Sequence, residues 1–96
     1  MTTPARHPKA VLQEVAQKRR LGLPKYSHYY RGHGKTLTYK ALVNVGGQTF
    51  EGEHFFTHKK DAECNVAVVA LKKFKYPIES LSNTGEQEGE YEEDVG

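Results

Sequence analysis

Residues 36–45 alternate between apolar and polar side chains, and this pattern constrains the fold more than any other. The apolar positions of this run are Leu37, Tyr39, Ala41, Val43 and Val45. An alternation with a period of two predicts a strand with one buried face. Gly46-Gly47 follows directly, and two glycines supply the positive φ angles of a two-residue hairpin turn. We therefore predict that residues 48–52 return as an antiparallel strand.

Two amphipathic helices are predicted on either side of these strands. The first begins at Pro8, which suits the first turn of a helix, and should end near Arg19 or Arg20, before Gly22 and Pro24. Its predicted apolar face consists of Val11, Leu12, Val15 and Ala16. The second helix runs to about Phe74, with Thr57 as its N-cap. Its predicted apolar stripe consists of Ala62, Val66, Val69 and Ala70.

The tyrosine-rich segment 25–31 is predicted to be the first strand. Its three tyrosines, Tyr26, Tyr29 and Tyr30, are interpreted as packing residues rather than platforms on which bases stack. Residues 32–35 form a basic loop, and residues 53–56 form a second loop. The fold class is therefore α+β in the order α-β-β-β-α, a three-stranded antiparallel sheet with two helices packed on one face.

Charge divides the chain into a basic domain and an acidic tail. Residues 1–75 carry all 14 Lys and Arg against five acids, and residues 76–96 carry seven acids and no Lys or Arg. We predict a flexible arm over residues 1–7, a folded domain over 8–75 and a disordered tail over 76–96. The basic domain points to polyanions, with nucleic acid favoured over lipid because no helix pairs bulky apolar residues with a basic face.

The composition also indicates where the chain works. No stretch of about 18 apolar residues could span a membrane, and no apolar segment near Met1 resembles a signal peptide. Cys64 is the single cysteine, so no internal disulfide can form. We expect an intracellular location, in the nucleus, the cytoplasm or both, and no contact with a membrane.

Lys59 and Lys60 break a local rule at the start of the second helix. The helix dipole favours acids in the first turn, and a cation there costs about 0.3–1 kcal/mol. Unpaired backbone N–H groups together with two ammonium groups would form a seat for a phosphate. The alternative is that both lysines are solvated on an exposed turn.

Four segments, read together, resemble the double-stranded-RNA-binding domain family. They are residues 8–15 (PKAVLQEV), 23–26 (LPKY), 39–45 (YKALVNV) and 59–63 (KKDAE), spread in the family's order along about 70 residues. The tyrosine after Leu-Pro and the Ala-Glu that ends the last segment look most like plant members that assist or compete with Dicer-like enzymes. The resemblance implies a domain that reads duplex RNA by shape, across two minor grooves and the phosphates between them.

The resemblance also implies which residues contact RNA. These are Gln13 and Glu14 in the first helix, His33 and Lys35 in the first hairpin loop, and Lys59 and Lys60 in the second helix. Two departures from the family pattern are expected to weaken binding. The loop lacks the family's proline and its histidine is displaced, and Glu63 stands where the family has a third lysine, so its carboxylate would oppose phosphate.

A protein-interaction module is the alternative function. The third strand should be a sheet edge with unpaired N–H and C=O groups that could accept a strand from a partner. The residues assigned to this interface are Gln48, Phe50, Cys64 and Val68. Partners would then be another double-stranded-RNA-binding protein or a Dicer-like or RNase III enzyme, besides double-stranded RNA itself.

Catalytic and metal sites are not predicted. His54, His58 and Cys64 have no spacing typical of zinc ligands and lack a fourth member. The folded part has no nucleophile–base pattern and no glycine-rich phosphate loop, and the family is non-catalytic, so we predict a protein without enzyme activity or cofactor. The acidic tail is expected to compete with phosphate for the basic face.

Overall fold

The structure, a computed structural model, describes residues 6–76. It confirms the predicted element order and the α+β class: α1 (Pro8–Lys18), β1 (Lys25–Arg31), β2 (Thr38–Val45), β3 (Gln48–Glu51) and α2 (Lys59–Lys73). The strands form one antiparallel sheet in the order β1-β2-β3. The predicted acidic tail and most of the predicted N-terminal arm lie outside the described residues.

The alternation in β2 places one face of the sheet in the core, as predicted. Ala41, Val43 and Val45 are buried, and Val43 is paired with the buried Phe50 of β3. Gly46 and Gly47 have φ angles of 60° and 86°, which confirms the hairpin turn. A Cβ at Gly46 would also lie 2.8 Å from Leu21 Cδ2, so the Leu21 side chain would have to shift.

The helices pack against this face and against each other. From α1 the core receives Val11, Leu12 and Ala16; from α2 it receives Ala62, Val66, Ala67, Ala70 and Leu71. Val69, predicted to belong to the core stripe of α2, is only partly buried, and Ala67 and Leu71 cover the sheet in its place. At the far ends of the helices, Arg19 Nη2 donates to the Phe74 carbonyl at 3.3 Å, so the two C-termini lie side by side.

The connection from β3 to α2 is more ordered than the predicted loop. Phe56 pairs with Tyr39 of β2, with backbone N···O distances of 2.6 and 2.7 Å. The segment between is held by Asn65 of α2, whose Oδ1 accepts from the Glu53 N–H at 2.8 Å and whose Nδ2 donates to the Glu53 carboxylate. A Cβ at Gly52 would lie 3.0 Å from Asn65 Oδ1, so this approach needs glycine.

Several predicted details are corrected. Thr36 belongs to a short 3-10 turn (Gly34–Thr36), and β2 begins two residues later. The N-cap of α2 is His58 rather than Thr57, whose hydroxyl lies 3.1 Å from His58 Nδ1 instead of capping the helix. Tyr29 and Tyr30 are 49% and 58% exposed, so of the three tyrosines only Tyr26 packs against the core.

Both helices end with the same backbone motif. In α1, Arg20 has φ 58°, its N–H donates to Gln17 O, and the Leu21 N–H reaches back to Ala16 O at 2.8 Å. In α2, Lys75 has φ 61° and the Tyr76 N–H donates to Leu71 O at 3.0 Å. This is the Schellman arrangement, which satisfies the last carbonyl groups of a helix and usually has glycine at the left-handed position. Neither helix in residues 6–76 is long and apolar enough to cross a membrane.

The left-handed conformation of Arg20 yields a stability prediction. We expect Arg20→Gly to raise the free energy of unfolding by up to about 1 kcal/mol, because glycine avoids the Cβ clash of this conformation. Urea denaturation measures the change. Gln13→Gly is the control, since it places glycine at an exposed position in the middle of the helix and should destabilise by about 1 kcal/mol. Equal destabilisation by both variants would contradict the prediction.

Candidate nucleic-acid interface

The three regions predicted to contact RNA lie at one end of the molecule. Lys9 in α1 forms an ion pair with Glu63 in α2, which brings the beginnings of both helices together. Lys59, the first residue of α2, places its Nζ 5.6 Å from the ring centre of Tyr30 and 5.5 Å from that of Tyr39. Tyr30 stands just before the β1–β2 loop. The first turn of α2 is therefore flanked by α1 on one side and by the loop on the other.

Glu63 holds this end together from inside. Its side chain is only 17% exposed; one carboxylate oxygen pairs with Lys9 Nζ and the other lies 2.9 Å from His28 Nε2. The His28 contact is a close electrostatic approach without the alignment of a hydrogen bond. The charge of this carboxylate is therefore directed inward and matched by Lys9, and the expectation that it weakens RNA binding stays a prediction.

Tyr26 completes the interior of this cluster. Lys9 Nζ lies 4.9 Å from the centre of its ring, a cation–π distance. Burial raises the pKa of the Tyr26 hydroxyl, and the nearby Glu63 carboxylate raises it further. The hydroxyl is buried without a hydrogen-bond partner among the described residues, so it contributes bulk and a neutral surface rather than a polar contact.

In α1 the two predicted RNA contacts have different surroundings. Gln13 is exposed and lines a cleft of about 440 Å³ between α1 and the segment that precedes β1, where Leu23 is 59% exposed. Glu14 is exposed but forms an ion pair with Arg6, and the hydrogen bond and charge of Glu14 raise the pKa of Arg6. The Gln13 side chain is thus available to a ligand, whereas Glu14 would have to release Arg6 before it could contact one.

The β1–β2 loop has a fixed shape despite its departure from the family pattern. Gly32 has φ 82°, and a Cβ there would lie 2.4 Å from the Thr36 carbonyl oxygen. The Thr36 hydroxyl donates to His33 O at 2.8 Å and accepts from the His33 N–H at 3.2 Å. His33 and Lys35 are exposed on this turn. The loop therefore offers an imidazole and an ammonium group on a well-defined backbone.

Lys59 and Lys60 occupy the first turn of α2, as predicted, and both are exposed. The backbone N–H groups of this turn have no partner inside the helix. The His58 side chain makes no capping hydrogen bond to them, and neither lysine forms an ion pair within residues 6–76. Two exposed ammonium groups and unpaired N–H groups are therefore present in the same helical turn, which is a combination suited to a phosphate.

The residues assigned to a protein interface do not form a common surface. Gln48 is exposed at the sheet edge, but Phe50 is 6% and Cys64 is 3% exposed, and Val68 is partly buried against the core. The predicted patch of Cys64 and Val68 is therefore wrong: α2 turns both side chains toward the protein. No group of three or more potential metal ligands occurs among the residues that the structure describes.

The sequence interpretation missed the cluster of Lys9, His28 and Glu63. The inward position of His28 could have been inferred, since it lies two residues from Tyr26 and from Tyr30 and so shares their face of β1. Its partner in β2 is the buried Ala41. The Lys9–Glu63 pair could not, because 54 positions separate its members and no local pattern joins them. The Tyr30–Tyr39 edge-to-face contact under Lys59 was also missed, with ring centres 5.3 Å apart.

Comparison with known proteins gives a consistent family assignment. The family model described as double-stranded RNA binding motif matches residues 8–74. Double-stranded RNA-binding protein 6 of rice is 42% identical over 60 residues, 62% of this chain and 12% of that protein. Double-stranded RNA-binding protein 3 of Arabidopsis thaliana is 40% identical over 62 residues, 65% of this chain and 17% of that protein. The chain thus spans less than a fifth of the length of these relatives.

A solved structure agrees with these sequence matches. The structure described as that of Arabidopsis HYL1, with molecular implications for miRNA processing, superposes with a TM-score of 0.67 at 31% identity. The match covers 71% of this chain and 96% of that one. The shared part corresponds to the described fold rather than to the acidic segment.

The ion cluster yields a stability prediction. Glu63→Lys would restore the family's third lysine but would bring an ammonium group against Lys9 in a largely buried site. We expect the free energy of unfolding to fall by about 3–5 kcal/mol. Asp61→Lys is the matched control, since it makes the same charge change on a more exposed residue of the same turn and should change stability by less than about 1 kcal/mol. Similar melting curves for the two variants would contradict the assigned role of Glu63.

Proposed function

The chain belongs to the double-stranded RNA binding motif family, and on this premise we propose that it binds duplex RNA by shape through the end formed by α1, the β1–β2 loop and the first turn of α2. The residues assigned to this contact are Gln13, Glu14, His33, Lys35, Lys59 and Lys60. We propose that it acts without catalysis, as an accessory or competitor in small-RNA processing.

The first turn of α2 carries this proposal. The positive charges of Lys59 and Lys60 are unfavourable beside the positive end of the helix dipole. A bound phosphate would make the interaction at this site favourable. Lys59 Nζ lies 5.6 Å from the ring centre of Tyr30 and 5.5 Å from that of Tyr39. These rings hold the ammonium group in position before RNA binds. On either side, Gln13 and the His33–Lys35 turn are exposed at the places where adjacent minor grooves would lie.

The relatives support the biological setting. The matched relatives are plant double-stranded RNA-binding proteins, and the matched Arabidopsis structure is described in connection with miRNA processing. We propose that this chain meets its RNA in the nucleus or cytoplasm, together with a Dicer-like or other RNase III enzyme or a related RNA-binding protein. We expect the binding end to recognise the shape of duplex RNA rather than its bases.

Selectivity among nucleic acids tests the mode of binding. We expect a mixed-sequence RNA duplex of about 20 base pairs to bind more tightly than the DNA duplex or the single strands of the same sequence, because 2′-hydroxyl groups and A-form width distinguish RNA. Fluorescence anisotropy at two salt concentrations measures this. Scrambling the RNA sequence is the control and should have little effect. Equal affinity for the RNA and DNA duplexes would contradict recognition of RNA by shape and would indicate a basic patch that binds any duplex.

Removal of the two helix-start lysines tests the phosphate seat. We expect Lys59→Ala/Lys60→Ala to weaken binding to every RNA duplex alike and to lower the salt slope by about one unit for each phosphate that is no longer bound. Lys25→Ala/Lys72→Ala removes the same charge from outside the proposed surface and is the control. An unchanged salt slope in the Lys59/Lys60 variant, with a normal melting temperature, would contradict phosphate binding at the first turn of α2, on which the proposal rests.

A second candidate function is association with a like domain through the sheet edge. β3 is an edge strand, and its pairing with β2 turns the backbone groups of Gln48, Phe50 and Gly52 inward. The N–H and C=O groups of Thr49 and Glu51 therefore point outward, where a partner strand could pair with them. Only Gln48 remains from the predicted side-chain interface, so association would rest on backbone pairing.

A proline at the edge tests this candidate. Thr49→Pro removes an outward N–H without disturbing the ladder to β2, and we expect it to abolish any self-association seen in sedimentation. Thr49→Ala also removes the hydroxyl that accepts from Asn44 but keeps the N–H, so it should associate normally. A monomeric parent chain at high concentration, with no complex on addition of a like domain, would eliminate this function.

A further inference from the structure

Six cations gather at the end of the molecule opposite the proposed RNA site. They are Lys18, Arg19, Arg20, Lys72, Lys73 and Lys75, all exposed, and we call them the basic end. They adjoin because α1 and α2 finish side by side: Arg19 donates to the Phe74 carbonyl, and its guanidinium lies 4.9 Å from the centre of the Phe74 ring. The basic end holds six of the chain's 14 Lys and Arg, whereas the proposed RNA site uses three.

No acid within the described part of the chain neutralises the basic end. Each of the five carboxylates there has another partner: Glu14 contacts Arg6, which also lies near Tyr76, Glu51 contacts Lys40, and Glu53 contacts Asn65. Asp61 lies 3.7 Å from His58 Nδ1, and Glu63 belongs to the buried cluster. The six cations therefore make no ion pair inside residues 6–76.

The helix dipoles account for only part of this charge. Each helix C-terminus presents about half a negative charge, so two of them offset about one cation. Cations at adjacent positions, such as Lys72 and Lys73, have Cα atoms about 3.8 Å apart. This is less than the Debye length of about 8 Å at physiological ionic strength, so these charges repel one another. Such a surface attracts any polyanion, duplex RNA included.

The chain carries its own polyanion at this point. Seven acids lie beyond residue 76, the first at Glu79 and the other six from Glu86 to Asp94, and no Lys or Arg accompanies them. Their starting point is fixed, because the Tyr76 N–H donates to Leu71 O at 3.0 Å. Glu79 is three residues further on and so lies within about 10 Å of Tyr76 in any conformation. Lys59 lies at the other end of a helix about 22 Å long. Glu79 therefore reaches the basic end but not Lys59, whereas the acids from Glu86 onward have the length to reach either.

We propose that residues 77–96 bind to the basic end of the same chain and exclude other polyanions from it. The segment matches the basic end in charge, seven acids against six cations, and it is tethered to it by sequence. Tethering gives a local concentration in the millimolar range for a short flexible connection. The consequence is that RNA is directed to Lys59 and Lys60, because the larger basic surface is already occupied.

The first test needs no RNA and so is independent of the proposed function. In the full chain, the four clustered acids are neutralised as Glu90→Gln/Glu92→Gln/Glu93→Gln/Asp94→Asn. We expect the largest backbone amide shift changes in NMR spectra at residues 18–21 and 72–76, and we expect high salt to produce the same changes in the parent chain. Changes confined to residues 33–35 and 59–60 would overturn the proposal, since they would show the segment on the RNA site. The absence of any change would overturn it as well.

The second test measures what the occupied surface excludes. With an RNA duplex of about 20 base pairs, the acid-neutralised chain should bind more tightly at low salt, with a salt slope steeper by about one unit per cation released to phosphate. Adding Lys18→Gln/Lys72→Gln/Lys73→Gln should cancel this gain, because these positions belong to the basic end and have helical backbones, so glutamine leaves the hydrogen bonds of the Schellman turns in place. Adding Lys59→Gln/Lys60→Gln instead should leave the gain in place. The reverse pattern would overturn the proposal.

Discussion

The carboxylate of Glu63 is the contact on which the arrangement of the binding end depends. It reaches from α2 to Lys9 in α1 and to His28 in β1, so three elements of the fold meet on one side chain that is 17% exposed. A buried charge of this kind is stabilising only while its partners are in place, since removing one leaves an uncompensated charge. The relative positions of α1 and the first turn of α2, and hence of Gln13 and Lys59, are therefore linked to one ion cluster.

This cluster bears on a departure from the family pattern that looks unfavourable for RNA binding. In the family pattern a lysine occupies the position of Glu63, and the sequence alone suggests a carboxylate facing phosphate. In the structure the carboxylate is withdrawn and neutralised by Lys9, so Lys59 and Lys60 keep their outward charge. The sequence departure changes how the two helices are fastened together rather than the sign of the surface that they present.

The sequence predicted the elements well because their patterns are local. The alternation in β2, Gly46-Gly47 and the helical apolar faces each depend on neighbours within a few residues. It failed where distant parts of the chain interact: the Phe56–Tyr39 pairing, the Asn65 contact to Glu53 and the ion cluster join residues that no period connects. It also failed for Cys64 and Phe50, because burial of a helix or edge-strand residue is decided by which element packs over it.

The near-parallel course of α1 and α2 gives the molecule an electrostatic direction. Lys9 and Glu63 bring the beginnings of the helices together, and Arg19 and Phe74 bring their ends together. Both positive dipole ends therefore lie toward the binding surface, where two lysines add to them, and both negative ends lie under six cations. Six cations exceed what those dipole ends can neutralise. The proposed orientation of RNA binding would be favoured by a counter-charge at the far end, and the chain carries seven acids beyond Tyr76, the first of them Glu79.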